Sequence, residues 1–495
     1  MKTISAEFIR KAGFSLGLLG FLLLFFWPDF LSQNIPAKRM LALTVLMAIW
    51  WMTEAIPISI TALLPLPLYP LFKIMKTSQA APNYGHHLIF LFLGGFLIAQ
   101  AIQKWGLHRR FALLTLSRIG TQPGKIMLGF MLVTAFLSMW ISNTATTLMV
   151  LPIALAVLHR LGIESDPEVG DSTGYAAILM LAIAFSASIG GTATLIGTPP
   201  NLVFTGVYQK YFPAEKTVTF VRWMGWAVPL MVILFVVLFY YLKMFIKRNV
   251  SFAEQYSRNY FREEIAKLGP MTVPETRVLI VFLLTAFLWM GRADLNLGSF
   301  VIPGWAHLIG EQKWIQDSSV AMFMAILLYL IPSGEKIKEF NDKLLDVKDL
   351  PQIPWDILLL FGGGFALAEG IQKTGLATIM ATQLSAFQKM PEFFFVLTIT
   401  LFITFLTGVT SNTAVATTIL PIIAALSVAS HYSSLSLMVP ATFATSCAFI
   451  LPVATPPNAI VFGSRLVPIQ KMFRIGLGLN FITSLLITIY FTLLW

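Results

Sequence analysis

Ser142-Asn-Thr-Ala145 and Ser411-Asn-Thr-Ala414 stand 269 residues apart in a chain of 495. Three more pairs keep that offset. Phe92-Leu-Gly-Gly-Phe96 recurs as Phe361-Gly-Gly-Gly-Phe365, Ile102-Gln-Lys-Trp-Gly-Leu107 as Ile371-Gln-Lys-Thr-Gly-Leu376, and Leu151-Pro152 as Leu420-Pro421. Thr198-Pro-Pro-Asn201 then recurs as Thr455-Pro-Pro-Asn458 at an offset of 257. The shorter offset matches a polar insertion near Glu164 to Tyr175 in the first half. Ordered matches with a single gap define an internal repeat, so the fold is built twice from one plan.

The repeats lie in an apolar background. Hydrophobic residues make up 57% of the chain and charged residues 12%, against about 25% charged in soluble domains. Apolar runs long enough for a bilayer, about 20 residues each, follow one another along the sequence. The reading is an all-α polytopic membrane protein. Two runs, 127–160 and 392–430, are too long for one crossing and carry the Ser-Asn-Thr motifs at their middles. Each is expected to form a re-entrant helical hairpin. The other segments, 87–117 and 354–385 among them, count as about 11 transmembrane helices. Lys2, Arg10 and Lys11 precede the first apolar run without a small-x-small cleavage site, which reads as an uncleaved helix rather than a signal peptide.

Charge orients the chain. With the N-terminus in the cytoplasm, 23 of the 34 Lys and Arg fall in inside loops, the bias that the positive-inside rule predicts. The C-terminus is then outside. The segment near 88 runs inward and its partner near 356 runs outward, so the repeats are inverted. Inverted repeats with broken helices are the plan of secondary transporters, whose sites lie near the midplane. No basic stripe points to nucleic acid. Cys447 stands alone, and the six histidines have no metal-ligand spacing. The spans hold no nucleophile–base pair, so an intramembrane enzyme is not expected.

The chemistry is expected at the motifs. A turn inside a membrane leaves backbone groups without water, and small polar side chains answer them. The plainer alternative, that Ser142 and Asn143 only cap helix ends, is weakened by the second copy. Thr-Pro-Pro-Asn removes two backbone donors and unwinds a helix, freeing carbonyls for a cation and a helix N-terminus for an anion. A simple proline kink is the alternative there, weakened by Gly197 and Ala454 just before each motif. The motifs hold no ionisable residue. Neutral oxygens suit sodium, and two such cations would balance a dianion. Glu54 and Glu369 also lie in apolar segments. Their expected place is a helix end or a pairing with a neighbouring donor. Trp50, Trp51, Trp140 and Trp223 are expected at the membrane interface or in packing rather than on a ligand, and His86-His87 at the outer interface.

From Trp51-Met-Thr-Glu-Ala-Ile-Pro57 onward, with Phe136-Leu-Ser-Met-Trp-Ile-Ser142 and both motif pairs, the chain resembles the divalent anion:sodium symporter family. The resemblance implies an elevator-type homodimer in the inner (plasma) membrane. It implies a scaffold of residues 1–126 and 275–385 and a transport domain of 127–245 and 386–495, joined by the cytoplasmic linker 246–274. It places one sodium on Ser138, Ser142, Asn143 and the Gly197 carbonyl. A second falls on Thr407, the Thr410 carbonyl, Asn412 and the Ala454 carbonyl. Substrate carboxylates would meet Asn143, Thr144, Thr198, Asn412, Thr413, Thr455 and Pro456. It implies import of C4-dicarboxylates (succinate, malate, fumarate) coupled to sodium, with no other cofactor. The alternatives are a sodium-independent dicarboxylate exchanger, or a citrate or sulfate carrier.

Overall fold

The computed structural model describes all residues except 1–5, 28–30, 32, 120–121, 162, 164–173, 247–253, 297–300, 311–313, 335–342, 384–389, 430–431 and 494–495. The polar insertion near Glu164 therefore lies almost wholly outside the described residues. The first third of the chain runs through α1 (Ala6–Phe26), α2 (Ile35–Thr53), α3 (Ile58–Leu63), α4 (Pro65–Leu71), α5 (Thr77–Ala80), α6 (His87–Lys104) and α7 (Leu107–Ile119). It continues with α8 (Pro123–Ser138), α9 (Asn143–Arg160), α10 (Tyr175–Gly191), α11 (Pro199–Tyr211) and α12 (Phe220–Lys243). After α13 (Glu254–Leu268) come α14 (Val273–Arg292), α15 (Asp317–Leu330), α16 (Trp355–Lys373) and α17 (Leu376–Gln383). The last part is α18 (Glu392–Thr407), α19 (Asn412–Ala429), α20 (Ser434–Ser446), α21 (Pro456–Gly463) and α22 (Ile469–Leu493).

Among the described residues, six helical stretches are long and apolar enough to cross a bilayer. Many of the others are shorter because the chain breaks inside them. The two long runs break where the motifs sit, giving α8–α9 and α18–α19. The runs 87–117 and 354–385, expected as single helices, each split in two. Gly106 (φ 71) and Gly375 (φ 72) take the left-handed conformation that ends a helix. The two glycines are repeat partners, and the Gln-Lys-x-Gly spelling was the signal. Among the described residues the class is all-α but for a two-stranded ribbon, in which Leu295–Asn296 pairs with Val301–Ile302.

The segment 246–274 is not only a linker, since α13 packs on α7 and α9. Glu264 bonds Lys267 at 2.6 Å and Arg109 at 3.0 Å. These cations hold its carboxyl below the ordinary glutamate value. Phe261 is buried.

α10 is buried at every residue and α20 at all but Leu435. Their apolar residues turn inward on all sides, as in the centre of a bundle. Beyond each of them the α-helix is broken, over 192–198 and 447–455, the second stretch holding one 3-10 turn at Pro452–Ala454. Asn201 Nδ2 donates to the carbonyls of Gly191 (3.2 Å), Thr192 (3.3 Å) and Thr194 (2.7 Å). Asn458 Nδ2 donates to those of Ala448 (3.0 Å) and Leu451 (3.1 Å), which are the repeat partners of Gly191 and Thr194. Trp223 Nε1 adds a 3.0 Å bond to Thr192. Close backbone approach then needs glycine. A Cβ on Gly190 would stand 2.3 Å from the Ala135 carbonyl oxygen, and one on Gly476 would stand 2.1 Å from that of Phe449.

At the far end of α11, Lys210 Nζ bonds Glu369 Oε2 (2.8 Å), Asn83 Oδ1 (2.7 Å) and the Phe365 carbonyl (3.2 Å). Lys373 pairs with the other Glu369 oxygen at 2.8 Å. Glu369 is thus paired, as its composition-level reading expects. Asp317 forms a second buried junction. It pairs with Arg292 and accepts from the Phe220 amide at 2.8 Å.

Gly190→Ala should lower stability by about 1–3 kcal/mol through overpacking. Gly463→Ala, whose Cβ meets nothing within 4 Å, should leave it unchanged or slightly raised. Asn201→Asp turns a double donor into an acceptor facing three carbonyls and should destabilise more than Asn201→Ala. Thermal unfolding of the purified protein in detergent checks all four variants.

Candidate functional site

All four motifs meet at one cavity of about 620 Å³. Ser142, Asn143 and Thr144 line it from the first hairpin tip, and Thr410, Ser411, Asn412 and Thr413 from the second. Gly197, Thr198 and Pro199 line it from one unwound segment, and Ala454, Thr455, Pro456 and Pro457 from the other. Each of these residues sits at a helix start, because the motif itself breaks the helix. α9 begins at Asn143, α11 at Pro199, α19 at Asn412 and α21 at Pro456. Four helix N-termini, each the positive end of a helix dipole, therefore border one space, although α11 and α21 open on two prolines that bring no N–H of their own.

Capping and lining go together here. Ser142 Oγ accepts from the Ala145 amide at 3.3 Å, and Thr455 Oγ1 from the Asn458 amide at 3.2 Å. Ser142 thus both caps α9 and lines the cavity, while Asn143 Oδ1 is engaged by Ser138. Ser138 and Thr407 do not line the cavity. They lie fully buried behind it. Ser138 Oγ stands 2.6 Å from Asn143 Oδ1 and 2.7 Å from the Ala187 carbonyl oxygen. Thr407 Oγ1 stands 2.7 Å from Asn412 Oδ1 and 3.0 Å from the Thr445 carbonyl oxygen. A hydroxyl has one hydrogen and cannot donate to both oxygens at once. Each half of the molecule therefore gathers three neutral oxygens around one proton, an electron-rich setting that suits a hard cation. Gly191 makes room in the first, since a Cβ there would stand 2.2 Å from Asn143 Oδ1. A Cβ on Gly197 would stand 2.4 Å from the Gly191 carbonyl oxygen and 2.9 Å from that of Ser138, so more oxygens crowd the same place.

The cavity wall includes residues that the motifs do not indicate. Phe92, Phe96, Ile196 and Ile357 form an apolar side. The repeated Phe92-Leu-Gly-Gly-Phe96 was the available signal for the first two, although it marks a repeat and not a surface. Among the lining residues, the only ionisable side chains are Arg10 and Glu54, paired at 3.4 Å and about half exposed. Glu54 sits at the C-cap of α2, as the helix-end reading expects, with φ 47 and ψ 41. Thr410 Oγ1 donates 2.9 Å to the Met52 carbonyl, tying the second tip to the same turn. Trp140 and Trp223 pack rather than line the cavity. Trp140 meets Phe282 edge-on and Trp223 stacks on Phe443. His86 and His87 pack against each other, with His86 against Phe365. Among the described residues no cluster of His, Cys, Asp or Glu could hold a metal.

Two solved structures share the fold at low identity. The Alcanivorax borkumensis YdaH transporter gives a TM-score of 0.55 at 13% identity, over 92% of this chain and 99% of that one. Neisseria gonorrhoeae MtrF gives 0.57 at 12%, over 92% and 94%. In sequence, the chain is 41% identical over 484 residues to the sodium-dependent dicarboxylate transporter SdcS of Staphylococcus saprophyticus, covering 97% of this chain and 90% of that protein. The SdcS of Staphylococcus aureus is 40% identical over 482 residues, covering 96% and 89%. The model of the sodium:sulfate symporter transmembrane region matches residues 12–495. The chain belongs to the sodium:sulfate symporter family, a family of multi-pass membrane carriers and not of enzymes.

Proposed function

We propose that this protein imports C4-dicarboxylates such as succinate, malate and fumarate, driven by the sodium gradient. The observation that carries the reading is the convergence of two Ser-Asn-Thr tips and two Thr-Pro-Pro-Asn segments, none of them with an ionisable side chain, on one cavity. The dicarboxylate transport named for the staphylococcal relatives supports it. One sodium binds at Ser138, Ser142, Asn143 and the Gly197 carbonyl. The other binds at Thr407, the Thr410 carbonyl, Asn412 and the Ala454 carbonyl. The substrate lies between them, with its carboxylates on Asn143, Thr144, Thr198, Asn412, Thr413, Thr455 and Pro456. A dianion alone in a low-dielectric cavity is strongly disfavoured. Two sodium ions a few ångströms away cancel its charge, and this ties substrate binding to cation binding.

The protein works as an inverted-repeat elevator. Residues 127–245 and 386–495 form the moving body, 1–126 and 275–385 the scaffold, and 246–274 the connection. Polar contacts between these groups are discrete: Lys210 with Glu369, the Phe220 amide with Asp317, and Thr410 with Met52. Discrete contacts of this kind can be exchanged as one body slides past another. The protein is a homodimer of the plasma membrane, with its N-terminus cytoplasmic and its C-terminus outside, as the charge bias favours.

Radiolabelled succinate uptake into proteoliposomes tests the reading. Uptake into empty vesicles should require an inward sodium gradient. Uptake only into vesicles preloaded with dicarboxylate, indifferent to sodium, would instead establish an exchanger. Asn143→Ala and Asn412→Ala each lose contacts to charged ligands and should cut uptake by about 10- to 100-fold without unfolding the protein. Ser138→Ala and Thr407→Ala should raise the half-activating sodium concentration several-fold, more than they lower maximal uptake. Unchanged sodium activation in both would refute the cation sites.

A further inference from the structure

The central cavity carries charge at its mouth. Its inner end is closed, with Thr198 and Thr455 each 3% exposed. Its other end is open, where the Arg10 and Glu54 side chains are 59% and 52% exposed. Arg10 comes from α1 and Glu54 from the turn that ends α2, and both line the same space as the four motifs. Among the described residues one bond joins them, from Arg10 Nη2 to Glu54 Oε2 at 3.4 Å. A guanidinium has five N–H donors, and a strong pair with a carboxylate would use two of them. A long single bond between half-exposed groups is weak, so the pair opens readily.

Local structure does not account for Glu54. It takes the left-handed conformation directly after α2, with φ 47 and ψ 41, a place that glycine or asparagine usually fills. Its carboxylate also stands at the negative end of the α2 dipole, where an acid is disfavoured. The weak bond to Arg10 offsets little of this. A residue that the helix end disfavours, held at the rim of a ligand cavity, points to the cavity for its use. The rim also touches the moving parts, since Thr410 Oγ1 donates to the Met52 carbonyl at 2.9 Å.

We propose that Arg10 is a further anion-binding residue of the cavity and that Glu54 is its built-in competitor. The proposal rests on the dicarboxylate reading above. A dianion at the mouth replaces Glu54 on the guanidinium with one of its own carboxylates. Glu54 takes the guanidinium back as the dianion moves on. One carboxylate is exchanged for another, so Arg10 attracts the substrate without trapping it. The two side chains also act through space on anything the cavity holds. Without Arg10 the mouth keeps a bare carboxylate that repels a dianion. Without Glu54 it keeps a bare cation that attracts one. The two residues therefore pull affinity in opposite directions. A pair that only tied α1 to α2 would not do so, because losing either partner would loosen the same contact.

The test is equilibrium binding of radiolabelled succinate to the full-length protein in neutral detergent at saturating sodium. Arg10→Gln should weaken binding about five-fold, and Glu54→Gln should tighten it about two- to five-fold. The double variant should fall between them, near the unaltered protein. Arg10→Lys, which keeps the charge, should stay within about two-fold of it. Lys11→Gln, on the same helix but outside the cavity lining, should leave binding unchanged. About 1 M choline chloride, where the Debye length is about 3 Å, should at least halve the differences. Unchanged affinity in Arg10→Gln would overturn the proposal. So would shifts of the same sign in Arg10→Gln and Glu54→Gln, an equal loss in Lys11→Gln, or a full loss in Arg10→Lys. No sodium-dependent succinate binding by the unaltered protein would instead refute the dicarboxylate reading, and the role of Arg10 with it.

Discussion

Everything in this protein depends on backbone that is left unwound in its interior and still has its carbonyls answered. Helices solve the membrane problem by pairing every N–H with a C=O. A break undoes that solution, and an unanswered group costs several kcal/mol in hydrocarbon. Asn201 and Asn458 supply the replacement. One side-chain amide reaches back across each gap and gathers carbonyls that a continuous helix would have bonded to itself. The prolines before each asparagine suit the same design, because they open the next helix without adding amide donors of their own. The broken helices are therefore held in shape, and the groups freed by the break face the cavity in fixed directions.

The two halves use this device with different side chains. Ser138 in the first half corresponds to Thr407 in the second, and both bridge an asparagine oxygen and a buried carbonyl from the neighbouring helix. An extra methyl is accommodated without changing the bonding. What recurs is the pattern of oxygens, not the residues as such. Four helix starts around one space add a positive edge to it.

The repeat, the two hairpins and the unwound segments were legible because they are written in local residues: Ser-Asn-Thr at a turn, paired prolines, and a common offset. The break at Gly106 and Gly375 was written as plainly, but the apolar run continues through it and hides the turn. Partners far apart in sequence were not legible. Nothing local joins Lys210 to Glu369 or Arg10 to Glu54, because each pair is made by packing of helices that meet only in the folded chain. The cavity's apolar side was missed for a related reason. Phe96 and Ile357 look like any other membrane-helix residues until the fold turns them toward one space. The helix in the 246–274 segment was obscured by its polarity, since a helix that rests on others through a few contacts has no need of a long apolar face.

The four motifs contribute hydroxyls, amides and carbonyls, none of which gains or loses a proton near neutrality. The motifs have no acid–base clock of their own. Acidifying the medium leaves the motif oxygens as they were. A dicarboxylic acid that takes up one proton loses half its charge, and with it half its demand for compensating positive charge. Across that change the motifs themselves act as a fixed electrostatic mould.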